Sequence, residues 1–227
     1  MKKQLIQAAF AVIAYCGILL PAYAAPIEGA SSCLFENAVG GTGMVTSGVG
    51  TSSFTWGTGV DSPPSGLDCV GQSFDTNTGV FFDVGEITYF NGAINAGTGA
   101  DSVDLSLSLA FTDPVGISEN FIYLLSLVNT PNTGTAQEQA DIVQFPVVLP
   151  TQSFNIGGLL YTLALEVGEV TEGGFSTQTT FSVLEGESAT ATLRGKVTIA
   201  QVPVTGSLAL LVIGLAGVGW TRRRTKS

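Results

Sequence analysis

The sequence predicts an all-β chain, an antiparallel β-sandwich with a jelly roll among its topologies. Three observations predict it. From Ser102 to Phe111, Val103, Leu105, Leu107, Leu109 and Phe111 alternate with Ser102, Asp104, Ser106, Ser108 and Ala110. That period of two marks a half-buried antiparallel strand. The 29 glycines recur in turn-like clusters that cut the chain into short apolar runs. Beyond one turn at 136–140, nothing between residues 25 and 200 has a helical period. The runs therefore read as roughly eight to ten short strands in one domain.

Glu28 to Val49 is rich in Gly, Ser and Thr and reads as a leader that enters the sheet late. Thr51 to Trp56 reads as a strand ending at Gly57. Asp61-Ser62-Pro63-Pro64-Ser65-Gly66 is a turn, because Pro presets φ and Asp, Ser and Gly suit turn geometry. Leu67 to Phe74 reads as a strand and Asp75-Thr-Asn77-Thr-Gly79 as another turn. Phe81 to Phe90 alternates around Gly85, the pattern of a strand pair or of one strand bulged at that glycine. Asn91-Gly92 is a turn signal, and Asn95 to Ala100 a second Gly-rich connection.

Ser102 to Phe111 follows, closed by Asp113-Pro114. At about 2 kcal/mol per large apolar side chain, its buried face offsets roughly 10 kcal/mol of chain-ordering entropy. Asn120 to Val128 is continuously apolar and reads as a central strand. Asn129-Thr130-Pro131-Asn132-Thr133-Gly134 opens a long exposed loop, and Ala136 to Ala140 fits one helical turn. Asp141 to Phe145 is a strand closed by Pro146. Gln152 to Ile156 and Leu159 to Leu165 make a hairpin around Gly157-Gly158. Glu172-Gly173-Gly174 is a turn. Thr179 to Leu184 and Thr190 to Ile199 read as a last pair around Glu185-Gly186-Glu187.

The two ends carry targeting patterns. Met1-Lys2-Lys3, the apolar Leu5 to Leu20 and Ala22-Tyr23-Ala24 form a secretory signal peptide, residues 1–24, cleaved after Ala24. Residues 25–200 form the secreted domain. Residues 201–227 form a C-terminal sorting and anchoring segment. There Leu208 to Trp220 would make a helix of ~20 Å, or ~28 Å counted from Val202, a marginal span. Arg222, Arg223 and Arg224 would hold the C-terminus in the cytoplasm.

The domain holds all 18 acids and, of the 8 bases, only Arg194 and Lys196, a net charge of −16. Such a field repels nucleic acid and anionic surfaces. Once Cys16 leaves with the leader, Cys33 and Cys69 remain. An even pair in an oxidising compartment reads as one disulfide; two free thiols are the alternative.

The tail runs from a Val-Pro turn through a Gly-interrupted apolar helix to Arg-Arg-Arg. In that order it resembles the PEP-CTERM sorting signal. Its core is Val202-Pro203-Val204-Thr205 where the family has Val-Pro-Glu-Pro. The resemblance implies processing by an exosortase-type protease in bacteria with exopolysaccharide matrices. A plain membrane anchor is the alternative. Within the domain, five segments together resemble the choice-of-anchor K domain over about residues 42–198. They are Tyr89 to Ile94, Gly97 to Leu105, Leu127 to Asn132, Gly173 to Gln178 and Phe181 to Gly186. That resemblance implies an extracellular β-rich module with no assigned enzyme chemistry.

Candidate chemistry is sparse. With no His, imidazole bases and His-based triads are excluded. Paired carboxylates for glycoside hydrolysis would come from Asp101 with Asp104, Asp83 with Glu86, or Glu185 with Glu187. Asp101 and Asp104 are also candidate calcium ligands, as acidic loops supply hard oxygens. Asp75 to Gly79 opens like a calcium loop without its later acids. Solvated turn residues are the alternative for both. Trp56, Tyr89, Phe90 and Tyr123 would stack on sugars if exposed, or belong to the core.

The resulting expectation is an exported, non-enzymatic cell-surface or extracellular-matrix protein linked to exopolysaccharide and biofilm. A carbohydrate-binding module acting on the cell's own exopolysaccharide is the alternative. Its expected partners are the sorting protease, the membrane through the C-terminal helix, and exopolysaccharide.

Overall fold

The computed structural model describes residues 24–60, 63–113, 116–146, 152–156 and 158–200. Outside them lie the leader up to residue 23 and the whole tail, including Val202 to Thr205, Trp220 and Arg222 to Arg224. Asp61, Ser62, Pro114 and Gly157 also lie outside them.

The strands come in this order: β1 Pro26–Gly40, β2 Thr46–Ser47, β3 Ser53–Trp56, β4 Ser65–Gly71, β5 Ser73–Asn77, β6 Phe81–Phe90 and β7 Ala100–Asp113. Then come β8 Ile117–Val128, β9 Asp141–Gln144, β10 Gln152–Ile156, β11 Leu159–Val170, β12 Gly174–Ser176, β13 Thr180–Val183 and β14 Ser188–Ala200. They form two antiparallel 7-stranded sheets, β12-β13-β9-β8-β7-β1-β5 and β10-β11-β14-β6-β4-β3-β2. No α-helix occurs among the described residues. The fold is the expected all-β sandwich.

Alternation builds the core. Val103, Leu105, Leu107, Leu109 and Phe111 of β7 point inward and are buried. Leu163, Leu165 and Val167 of β11 and Leu193 and Val197 of β14 answer them from the second sheet. Rings make two clusters in this interior. Phe35, Phe54, Trp56, Tyr89 and Phe181 form one chain of contacts. Phe74, Phe82, Phe111, Phe121, Phe154 and Tyr161 form the other.

Several local expectations hold. Phe81 to Phe90 is one strand, bulged where Leu193 pairs with Gly85 and Arg194 with Asp83. The hairpin of β10 and β11 closes at Ile156 and Leu159. At 135–139 the amide of Gln139 donates to the Thr135 carbonyl at 3.1 Å, one helical turn.

Other expectations are corrected. The Gly/Ser-rich stretch is no late leader: β1 is a 15-residue strand between β5 and β7. Only Ile27, Cys33 and Phe35 carry its apolar face, which the small residues concealed. Leu67 to Phe74 is not one strand. It breaks at Gln72 and changes sheet, with β4 in one and β5 in the other. Asp75 to Asn77 belong to β5 rather than to a turn. Asn91-Gly92 makes no tight turn but opens a crossing to β7 in the opposite sheet. The last two strands do not pair: β13 bonds to β9 and β12, whereas β14 bonds to β6 and β11. Asn120 to Val128 is central but half-buried, since Ile122 and Leu124 face outward.

The sheets are fastened where β1 passes β4. Cys33 of β1 is bonded to Cys69 of β4, with Cα atoms 6.2 Å apart, so one disulfide joins the two sheets. Beside it the Ser31 amide donates to the Gln72 carbonyl at 2.8 Å, and the Gln72 amide donates to Ser31 Oγ at 2.8 Å.

Candidate functional site

Antiparallel pairing brings three connections to one end of the sandwich. There β6, β8 and β13 end, and β7, β9 and β14 begin. The 91–99 crossing, the 129–140 loop and the 184–187 turn meet around a cavity of about 390 Å³. Gly92, Ala93, Ile94, Ala96, Gly97 and Gly99 line one wall. Asn95, Asn129, Asn132, Thr130, Asp141 and Glu185 supply its polar side chains. Tyr89 to Ile94, Gly97 to Leu105, Leu127 to Asn132 and Phe181 to Gly186 all reach this end.

Each wall is fixed from behind. The Asn91 amide donates to the Glu187 carbonyl at 3.0 Å, and the Gly186 amide donates to the Asn91 carbonyl at 2.8 Å. Asn91 Nδ2 donates to the Val183 carbonyl at 2.9 Å, so a buried side chain ties the crossing to the opposite sheet. Ser65 Oγ donates to the Gly92 carbonyl at 2.9 Å. At Gly99 a Cβ would stand 2.6 Å from Asn129 Nδ2, so the Asn129 amide lies close against the crossing.

Asp141 is 5% exposed and heavily occupied. The Thr130 amide and hydroxyl donate to its Oδ1 at 2.7 and 3.0 Å, and the Tyr89 phenol donates to the same carboxylate. Burial nonetheless pushes its carboxyl above the ordinary range, the hydrogen bonds from Thr130 and Tyr89 opposing it. Burial, with the charge of Asp141 second, also raises Glu185, while an Asn132 hydrogen bond lowers it. Glu185 Oε1 is screened from solvent and accepts no hydrogen bond. Burial raises the Tyr89 phenol well above its usual value, helped by both carboxylates. The site is thus one carboxylate spent on internal donors and a second with an oxygen open to a donor.

The predicted residues mostly lie elsewhere. Asp101 and Asp104 sit on β7 and, three apart, face opposite sides of the strand. The Asp104 carboxylate accepts from Asn37 Nδ2 at 3.0 Å. No group of three or more acids or cysteines able to hold a metal forms among the described residues. Asp83 lines a second hollow of about 320 Å³ with Glu169, Thr192 and Arg194. Glu187 is exposed at the turn, so Glu185 has Asp141 as its neighbour in the cavity instead. Arg194 and Lys196 both lie over the Phe81 ring at 5.2 Å, and Arg194 pairs with Glu166 at 3.3 Å. Trp56 and Tyr89, 1% exposed, and Tyr123, 0% exposed, belong to the core and offer no platform for a sugar. Asp141 was missed because an acid heading a short strand looks like any turn residue.

The chain matches no protein-family model, and no curated protein matches it.

Proposed function

We propose that the chain is an exported, non-enzymatic cell-surface or extracellular-matrix protein, sorted through its PEP-CTERM-like tail and linked to exopolysaccharide. The observation that carries this reading is the buried Cys33–Cys69 bond between the sheets. Such a bond belongs to an oxidising compartment, as the Ala22-Tyr23-Ala24 leader requires. The charge of −16 suits a domain that stays soluble outside the membrane. The non-enzymatic reading draws support from Asp141, whose Oδ1 is held by the Thr130 amide and hydroxyl. The intact mass of the cell-associated and secreted protein tests export, bridging and tail processing together.

A second reading, a carbohydrate-binding module, is favoured by one observation: the polar cavity between the 91–99, 129–140 and 184–187 connections. Its mixture of side-chain amides and carboxylates suits hydroxyl-rich ligands.

A further inference from the structure

We propose that this cavity binds a sugar unit bearing no carboxylate or sulfate, with Glu185 accepting from a ligand hydroxyl and the Asn129 amide donating to a hydroxyl oxygen. The proposal rests on the second reading and assigns it a site and a ligand class.

The volume comes first. About 390 Å³ lies within the roughly 300–1,000 Å³ range of ligand pockets. Asn95, Ala96, Gly97, Asn129 and Asn132 are exposed at its rim, so one unit of a longer chain can enter. Hydrogen bonding comes second. Glu185 Oε1 is shielded from water without a donor. A buried acceptor in that state is unfavourable, and a ligand O–H would relieve it.

Charge then selects the ligand. The lining carries two carboxylates and no base, and Arg194 and Lys196 sit over Phe81, which begins β6 at the end away from the cavity. A uronate or a sulfated sugar would place a third anion beside Asp141 and Glu185. A calcium ion is disfavoured for a different reason. It takes about 6–8 oxygens, whereas Asp141 is already held by Thr130 and Tyr89. A hydroxyl needs one acceptor and one donor, which Glu185 and a neighbouring Asn provide. The walls are also held in shape before any ligand arrives, through Asn91, Ser65 and the Gly99–Asn129 contact. Preorganisation of this kind lowers the ordering cost of binding.

The test uses the full chain purified from membranes in mild detergent. Calorimetry and saturation-transfer NMR are run with neutral hexasaccharides (gluco-, manno- and xylo-series), oligogalacturonate, a sulfated oligosaccharide, calcium alone, and polysaccharide extracted from the producing cells. A neutral sugar should bind, and the uronate and sulfated probes should bind at least about 10-fold more weakly. Glu185→Gln and Asn129→Ala should each weaken binding by about 10-fold, the loss of one charge-assisted or oriented hydrogen bond. Ala96→Trp, which fills the mouth without touching these bonds, should abolish binding while leaving the melting temperature unchanged. If a glycan binds and none of the three variants alters it, the cavity assignment fails and the carbohydrate reading stands. If no probe sugar and no extracted polysaccharide binds, both fail. Equal binding of uronates, or binding of calcium alone in the cavity, overturns the ligand class.

Discussion

Replacing Cys33 and Cys69 together by Ala should cost about 4 kcal/mol. The bond closes a loop spanning 36 residues. The chain-entropy relation gives about 4 kcal/mol for that length at 25 °C. Both sulfurs are buried, so their loss adds packing cost in the same direction. For a domain of this size, each kcal/mol moves Tm by roughly 2–4 °C, so the double variant should melt about 8–16 °C below the oxidised protein. The assay is thermal unfolding of the exported chain by circular dichroism, with and without reductant, beside the variant. Reduced wild type, which keeps both sulfurs, should melt well below the oxidised protein and slightly above the variant. A variant melting within about 2 °C of the oxidised wild type would show that the bond does not hold the sheets.

Two further perturbations probe the same frame. Acid should favour the cavity end, since Asp141 and Glu185 have carboxyls raised by burial. The stability they contribute is present below the ordinary carboxylate range and lost as pH rises through their raised values. Between about pH 4 and pH 8, wild-type Tm should therefore fall more than that of Asp141→Asn, and parallel profiles would contradict this. Gly71→Ala should lower Tm by roughly 3–10 °C, because its Cβ would meet the Ser31 carbonyl and stand 2.8 Å from Ser32 Cα, forcing β1 from β4. Gly41→Ala, with nothing within 4 Å, is the near-neutral control.

What the sequence disclosed is what depends on neighbours along the chain. The inward face of β7, the bulge at Gly85 and the β10–β11 hairpin all follow from alternation and local turn chemistry. Sheet membership does not. Leu67 to Phe74 reads as one short run, but its buried positions change parity from Leu67 and Cys69 to Phe74, and pairing of β4 with β6 and of β5 with β1 reveals the change of sheet. The pairing of β13 and β14 failed for the same reason: a short connection between two apolar runs describes a hairpin and a sheet-to-sheet crossing equally well. In β1, Gly and Ser supply backbone pairing without apolar side chains, so a central strand resembled a linker. The cavity was legible only in pieces. Asn91-Gly92, Asn129 to Asn132 and Glu185 to Glu187 each stood out as connections, but their convergence on Asp141 is a product of topology. Of the aromatic residues suggested for sugar stacking, Trp56, Tyr89 and Tyr123 lie in the core and Phe90 is half-buried.

The measurement closest to the central claim is intact mass spectrometry of the cell-associated and secreted pools, without reductant. The account predicts a polypeptide that begins at Ala25 and is lighter by the two hydrogens lost in joining Cys33 to Cys69. Its secreted form should end between Val202 and Ser207. Protein in both pools that retains Met1, titrates as three free thiols with Cys16 among them, and still carries Ser227 would contradict export, the disulfide and tail sorting at once.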